Sequence, residues 1–530
     1  MLFASYEFLG FLIAVIVLFY LLPKKCQWPF LLLAGFIFYY LANPWYLVFI
    51  SITGITVFWL AKIIGGYSSG LKEYLEVNKD SLGRDAKKAA RQRTKKKQWH
   101  VLLIGLFINI GILAVIKYTN FTISNINAIR HMCGISNDIA FVKIIMPMGI
   151  SFYTFQAVGY LIDCYRGKIV PERNLFKFML FVSFFPQLVQ GPISRFSDMA
   201  ESLYAQKSFD GRRVADGIAR IMWGYFKKLV IADRIVIGVN EIIHNPGNYG
   251  GAYVFVGMIF YAIELYADFT GGIDITIGIA ETLGVNVTEN FRRPFFSKNI
   301  KEYWNRWHIT MGTWFTDYIF YPVSVCKPML RFAKFSRKHF GEVIGKRLPV
   351  YTASFLVWFA TGIWHGASWN FIVWGLGNFV VIMISQELEP FYRFFHKHVN
   401  VESKWLWKLF RVGRTFLIMC MLRTFDCYRD VPLTFRMYKS MLVNWRFGIF
   451  TDGSLLKLGL GIYDYMVLAV GIVILITVSM LQRKKGVRAR INSHSYVFRT
   501  AIYTALLLII VVFGAYGAGY DSSQFIYNQF

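Results

Sequence analysis

Two of the nine histidines in this sequence stand where an imidazole is costly to keep. His308 lies in Tyr303-Trp-Asn-Arg-Trp-His-Ile-Thr310, just after the polar stretch 291–301, and His365 lies in Ala360-Thr-Gly-Ile-Trp-His-Gly-Ala-Ser-Trp-Asn370. The other seven sit in polar loops or at segment edges. Ionisable groups inside apolar segments are expensive and are functional suspects by default. An imidazole held between apolar helices has its neutral form favoured, which leaves a base able to accept a proton near neutral pH. A hydroxyl is a poor nucleophile until its proton is removed during attack, so such a base suits acyl transfer to an alcohol. Gly362 and Gly366, four residues apart, form the small-residue spacing that admits a second membrane helix, and Trp364 and Trp369 supply rigid walls that exclude water. The plainer alternative is a buried histidine whose nitrogens only hydrogen-bond between helices.

His308 is open to more readings. Trp304, His308 and Phe315 fall near one helical face, and Asp317 follows within the same predicted helix. The imidazole could bind a donor, orient an acyl group, or make a structural hydrogen bond. A third cluster, Glu264-Leu-Tyr-Ala-Asp268-Phe-Thr-Gly-Gly-Ile-Asp274, places three carboxylates beside an apolar span. It offers acid–base chemistry, but the expectation here is structural ion pairing with Arg292, Arg293 or Arg306, the usual fate of intramembrane charge.

The elements that must position these residues are membrane helices. Of 530 residues, 56% are hydrophobic and 17% charged, against about 25% charged in soluble domains. The mean hydropathy is +0.43. Apolar stretches long enough to span a bilayer run the length of the chain: 3–22, 28–41, 45–64, 99–116, 144–162, 175–189, 252–267, 350–364, 371–385, 410–422, 466–481 and 497–513. The shorter ones suit re-entrant or interfacial segments, and the first reads as a retained span rather than a signal peptide. The alternation of charge and apolar residues over 214–243 suits a helix in the membrane surface or a cytosolic connector. The fold expected is all-α and polytopic, with about 11–12 transmembrane helices in one domain over 1–530.

The net charge of +28 follows topology rather than nucleic acid. Lys79, Arg84, Lys87, Lys88, Arg91, Arg93, Lys95, Lys96 and Lys97 fill the interruption 65–98, and a second basic loop occupies 327–347. Both are expected in the cytoplasm, which places the N-terminus outside and carries the end of 350–364 outward. The six cysteines show no paired or zinc-like spacing, so neither a disulfide framework nor a metal site is implied. With no internal repeat, and with polar groups concentrated in the two histidine segments, a transporter has little support.

On these residues the sequence resembles the membrane-bound O-acyltransferase family, in the bacterial branch that holds the alginate O-acetylation membrane protein. The matching stretches fall between about Pro147 and Asn378. They are Met148-Gly-Ile-Ser-Phe-Tyr-Thr-Phe-Gln156, Asp163-Cys-Tyr-Arg-Gly167, Gln190-Gly-Pro-Ile-Ser-Arg195, Tyr266-Ala-Asp-Phe-Thr-Gly271 and the two histidine segments; the tail Gln524–Phe530 is similar as well. Any one is weak, but their order is specific. The resemblance implies a helical bundle around a tunnel, with His365 catalytic and His308 the second active-site residue. It makes Trp304, Asn305, Trp307, Asp317, Trp364, Trp369 and Asp268 candidates to line that tunnel. It implies no bound cofactor or metal and an acyl donor that is acetyl-CoA or an acyl-carrier thioester. The acceptor implied is the hydroxyls of an extracytoplasmic polysaccharide or cell-wall polymer. The partners implied are the bilayer, an extracytoplasmic esterase-like (SGNH-type) acetyltransferase and a cytoplasmic acyl carrier protein, in a bacterial inner or plasma membrane. D-alanyl transfer to teichoic acid is the rival within the family, and the chain's length favours the alginate-type branch. Two departures bear on the donor. The family's Asp-Phe-Ser-Gly-Tyr-Ser-Asp reads Asp268-Phe-Thr-Gly-Gly-Ile-Asp274, and after Asp317-Tyr-Ile-Phe-Tyr-Pro322 a glycine pair is replaced by Val323-Ser-Val-Cys-Lys327 and a longer basic loop.

Overall fold

Helix is the only regular structure among the described residues of the computed structural model, which are 3–399, 401, 403–483 and 486–516. A helix satisfies its own backbone, as an apolar chain in lipid requires. The tail 524–530 lies outside the described residues. In chain order the helices are α1 (Tyr6–Leu21), α2 (Gln27–Ala42), α3 (Tyr46–Val77), α4 (Arg84–Met132), α5 (Ile150–Arg166), α6 (Leu175–Ser183), α7 (Phe185–Gln190) and α8 (Phe196–Tyr204). Next come α9 (Gly211–Tyr225), a π-helical stretch Phe226–Ala232, α10 (Asp233–His244), α11 (Ala252–Thr282), α12 (Ile300–Trp304), α13 (Ile309–Phe315), a π turn Thr316–Phe320 and α14 (Tyr321–Val325). The remainder are α15 (Lys327–His365), α16 (Trp369–Glu387), α17 (Glu389–His398), α18 (Trp405–Tyr428), α19 (Val431–Val443), α20 (Ile462–Leu481), α21 (Val487–Asn492) and α22 (Tyr496–Phe513).

Six of these, α3, α4, α11, α16, α20 and α22, are long and apolar enough to cross a membrane. The other expected spans fall on α1, α2 and α5, which have 16, 16 and 17 residues, on the broken pair α6–α7, and within α15 and α18. Apolar side chains face outward on most of the long helices, where lipid rather than protein removes them from water: only 6% of the α22 window is buried, against 67% for α11.

The chain forms two compact units. One comprises Met1–Ala215 with Ile279–Thr288, the other Asp216–Gly278 with Glu289–Phe530. In the first, the expected basic loop 65–98 is instead the continuation of α3 and the start of α4 around a short turn. Hydropathy registers the charges there, whereas Ala, Lys, Arg, Gln and Glu are all good helix formers. Gln98 pins the hairpin, its Nε2 donating to Ile64 O at 3.0 Å and Ser68 Oγ at 2.7 Å. The span expected from 144 begins only at Ile150, because Pro147 and the left-handed Gly149 (φ 69°) precede it. A Cβ on Gly149 would lie 2.1 Å from Leu188 O, so the close approach also requires glycine.

Of the segment 214–243, expected in the membrane surface or as a cytosolic connector, the π-helical middle is buried in the second unit. Lys227 and Lys228, 2% and 1% exposed, enter its interior from the π-helical stretch. Lys227 Nζ donates to Thr270 Oγ1 at 2.8 Å and Asp274 at 2.6 Å, and Lys228 Nζ to Asp233 at 2.7 Å and Asp268 at 2.6 Å. Arg220 adds bonds to Asp274 and Glu289. The wider π turn lets two consecutive lysines address one neighbour, α11. The second basic loop, 327–347, is likewise helical, forming the first half of α15 up to and past a kink at Gly341 (φ 73°).

Candidate active site

His308 is not inside one continuous helix, as its spacing suggests, but at a break. It caps α13 in the left-handed region (φ 48°, ψ 52°), a conformation that costs a non-glycine residue on the order of 1–3 kcal/mol and recurs at functional sites. Asn290, fully buried, holds the break together. Its backbone oxygen accepts from Ile309 N at 2.9 Å, and its Oδ1 accepts from Thr310 N at 3.0 Å and Thr310 Oγ1 at 2.9 Å. Because a backbone N–H can only donate, that side-chain atom must be the oxygen. His308 Nδ1 stands 3.3 Å from the same oxygen, so Nδ1 carries the hydrogen and Nε2 keeps its lone pair. Burial, then the charge of Arg423, pushes this imidazole down to about 3, so it is neutral across the physiological range.

His365 is the last residue of α15 and is 7% exposed. The helix arrives there against α16: a Cβ on Gly362 would lie 2.6 Å from Phe371 O, and one on Gly375 would lie 2.5 Å from Trp358 O. The small-residue spacing therefore serves the next helix in the chain. The indole of Trp364 contacts both imidazoles, with ring centroids 5.9 Å from His308 and 5.0 Å from His365. Phe269 closes on His308 at 4.9 Å.

The expected second wall of His365 is corrected. Trp369 is 58% exposed at the start of α16, and Trp374, fully buried, stands edge-on to His365 at 4.6 Å, with Phe371 stacked at 6.3 Å. Once α16 begins at Trp369, a 3.6-residue repeat puts Phe371, Trp374 and Asn378 on the buried face. Trp304 packs on Trp374 at 5.9 Å, and Arg423 lies 4.7 Å from the Trp374 ring, 5.1 Å from Trp307 and 6.0 Å from Trp304. Thus His308, His365, Trp304, Trp307 and Trp364 form one aromatic enclosure. Asn305 is exposed and Asp317 half-buried in the π turn. Of the acidic cluster, Asp268 is tied to Lys228, and Asp274 pairs with Lys227 and Arg220 rather than the arginines expected from the sequence. Asn290, Trp374 and Arg423 escape sequence reasoning. The last lies one residue past the apolar run 410–422.

A buried imidazole in an enclosure of indoles can take a proton from a hydroxyl and return it to a leaving group. The family described as MBOAT, membrane-bound O-acyltransferase, matches residues 172–337, a segment that includes His308 and ends before His365. A probable alginate O-acetylase of Pseudomonas syringae pv. tomato is 30% identical over 449 residues, covering 83% of this chain and 75% of that protein. Its counterpart in Pseudomonas aeruginosa is 30% identical over 481 residues, 88% and 81% of the two chains. A teichoic acid D-alanyltransferase of Bacillus subtilis is 31% identical over 275 residues, 50% of this chain and 63% of that protein.

Proposed function

This chain belongs to the membrane-bound O-acyltransferase family and is an O-acyltransferase, and from that premise we propose that it moves an acetyl group from a cytoplasmic thioester across the membrane. The donor in this reading is acetyl-CoA, and the acceptors are hydroxyls of an extracytoplasmic polysaccharide or cell-wall polymer. The observation that carries it is the pair of buried imidazoles set against the single indole of Trp364. The longer overlap with the alginate O-acetylases than with the D-alanyltransferase favours acetate as the group moved.

In this mechanism His365 takes the proton as the acceptor oxygen attacks the thioester carbonyl carbon. A C–O bond forms, and the carbonyl electrons move onto its oxygen. When the carbonyl reforms, the C–S bond breaks and the thiolate leaves with the proton that His365 returns. His308, neutral and fixed by Asn290, orients the acyl group. The indoles keep water from competing as the nucleophile. An esterase-like protein outside the membrane is the partner that completes delivery, the host membrane being the bacterial inner or plasma membrane. Alkali-released acetate and D-alanine on surface polymers, measured in cells with and without the chain, test the reading. Acetate dependent on the chain is expected. D-alanine in its place would move the assignment to the teichoic acid branch, and neither ester would sink it.

A further inference from the structure

Removing a hydrogen-bond acceptor from a buried N–H leaves the whole cost of desolvating that group unrecovered, so such donors are rare and each needs a reason. Several lie around the two histidines, and three of them pack against one another. Among the described residues, Nε1 of Trp374, Nε1 of Trp304 and Nε of Arg423 are buried with no acceptor in hydrogen-bonding reach. Trp374 is fully buried and Arg423 is 5% exposed. They are mutually packed: Trp304 against Trp374, and the guanidinium against both rings. Asp426, 3.6 Å from the guanidinium, and a small cavity lined by Tyr303, Trp307 and Met419 border Arg423 on its other sides. Three such donors in one packed cluster, one of them cationic, suit an oxygen that gains negative charge.

The geometry points to Trp374 Nε1–H, with Trp304 Nε1–H beside it, as the donor set for the oxyanion formed during acyl transfer, and to Arg423 as the residue that positions and polarises both indoles. The inference rests on the acyl-transfer reading above. It assigns the step that the histidines leave uncovered: while His365 holds the proton, the former carbonyl oxygen carries the charge, and donors already fixed in place need no reorganisation to meet it. A cation at 4.7 Å from the Trp374 ring also draws on the indole face, which strengthens its N–H as a donor and fixes the ring plane.

Trp374→Phe tests this, since it keeps an aromatic wall against His365 and removes only the N–H edge. With the full chain in its native membrane, acetate on the surface polymer per molecule of enzyme should fall about 10²–10³-fold. The thermal unfolding midpoint in detergent should stay level or rise, because an N–H that lacks a protein acceptor has been removed. Arg423→Lys, which retains the charge without the planar face, should lose less activity than Arg423→Met. Wild-type acetylation by Trp374→Phe overturns the proposal. So does a fall in activity that runs parallel with a lowered midpoint or with loss of the protein from the membrane, for then the ring only packs. If the wild-type chain itself adds no acetate, the acyl-transfer reading fails on its own, while the midpoint still tells whether Trp374 has an internal acceptor.

Discussion

At His365 the chemistry depends on one lone pair, and two substitutions separate that from packing. Removing a general base commonly costs about 10²–10⁴-fold in rate. His365→Ala should abolish polymer acylation in protein that still inserts and runs as a single species in detergent. His365→Gln keeps a hydrogen-bonding group but cannot accept the proton, and it should fail as badly; near-normal acylation with Gln would make the residue a structural hydrogen-bonder. His308 should behave differently. Because its imidazole stays neutral above about pH 3, His308→Asn should retain part of the activity and leave the shape of the pH–rate profile between pH 5 and 8 unchanged. A loss equal to that of His308→Ala, or a displaced acid limb, would give His308 a proton-transfer role. Both histidines and Trp364 are legible in the sequence because rare polar residues inside apolar runs announce themselves. Trp374 and Asn290 do not. Each matters through a partner far along the chain, His365 by way of the α15–α16 turn and His308 across the 18 residues from Asn290.

Between elements, two devices set the geometry of the second unit. The first is the α15–α16 approach, where backbone lies in the space a side chain would need at Gly362 and Gly375. Gly375→Val should force the helices apart, cost about 1–3 kcal/mol and loosen the enclosure, so thermal unfolding in detergent would come earlier and acylation would drop with it. An unaltered midpoint would mean the hairpin adjusts freely. The second is the ion network. Lys228 is buried between Asp233 and Asp268, and breaking a buried pair costs about 3–5 kcal/mol because the surviving charges stay desolvated. Lys228→Met should therefore destabilise more than any surface Lys→Met, such as Lys338→Met, and equality between them would deny the network a structural role. The glycine spacing could be read in advance, since small residues four apart have one common use. The network could not: a π-helical turn leaves no mark in hydropathy, and charged residues over 214–243 look the same whether they face water or each other.

Across the whole molecule the question is which side each basic segment faces, and the charge distribution predicts the cytoplasmic side for both. Of the nine lysines and arginines from Lys79 to Lys97, all but Lys79 lie on helix rather than loop, but retention of positive charge depends on its position in the chain, not on its secondary structure. With 49 residues at about 1.5 Å each, α4 extends well beyond a bilayer. Its basic half therefore continues out of the membrane as helix, with long side chains reaching toward lipid headgroups. The two ends of α4 should then lie on opposite sides. In a background without the exposed Cys26 and Cys133 and the half-buried Cys326, Ser81→Cys and Lys338→Cys should resist an impermeant maleimide in intact cells. Ser136→Cys, past the far end of α4 and exposed, should react at once, and all three should react after the membrane is opened. Labelling of Ser81→Cys in intact cells, with Ser136→Cys protected, would invert the chain. It would also reverse the direction of transfer, because the donor thioester is proposed on the face where the basic segments lie.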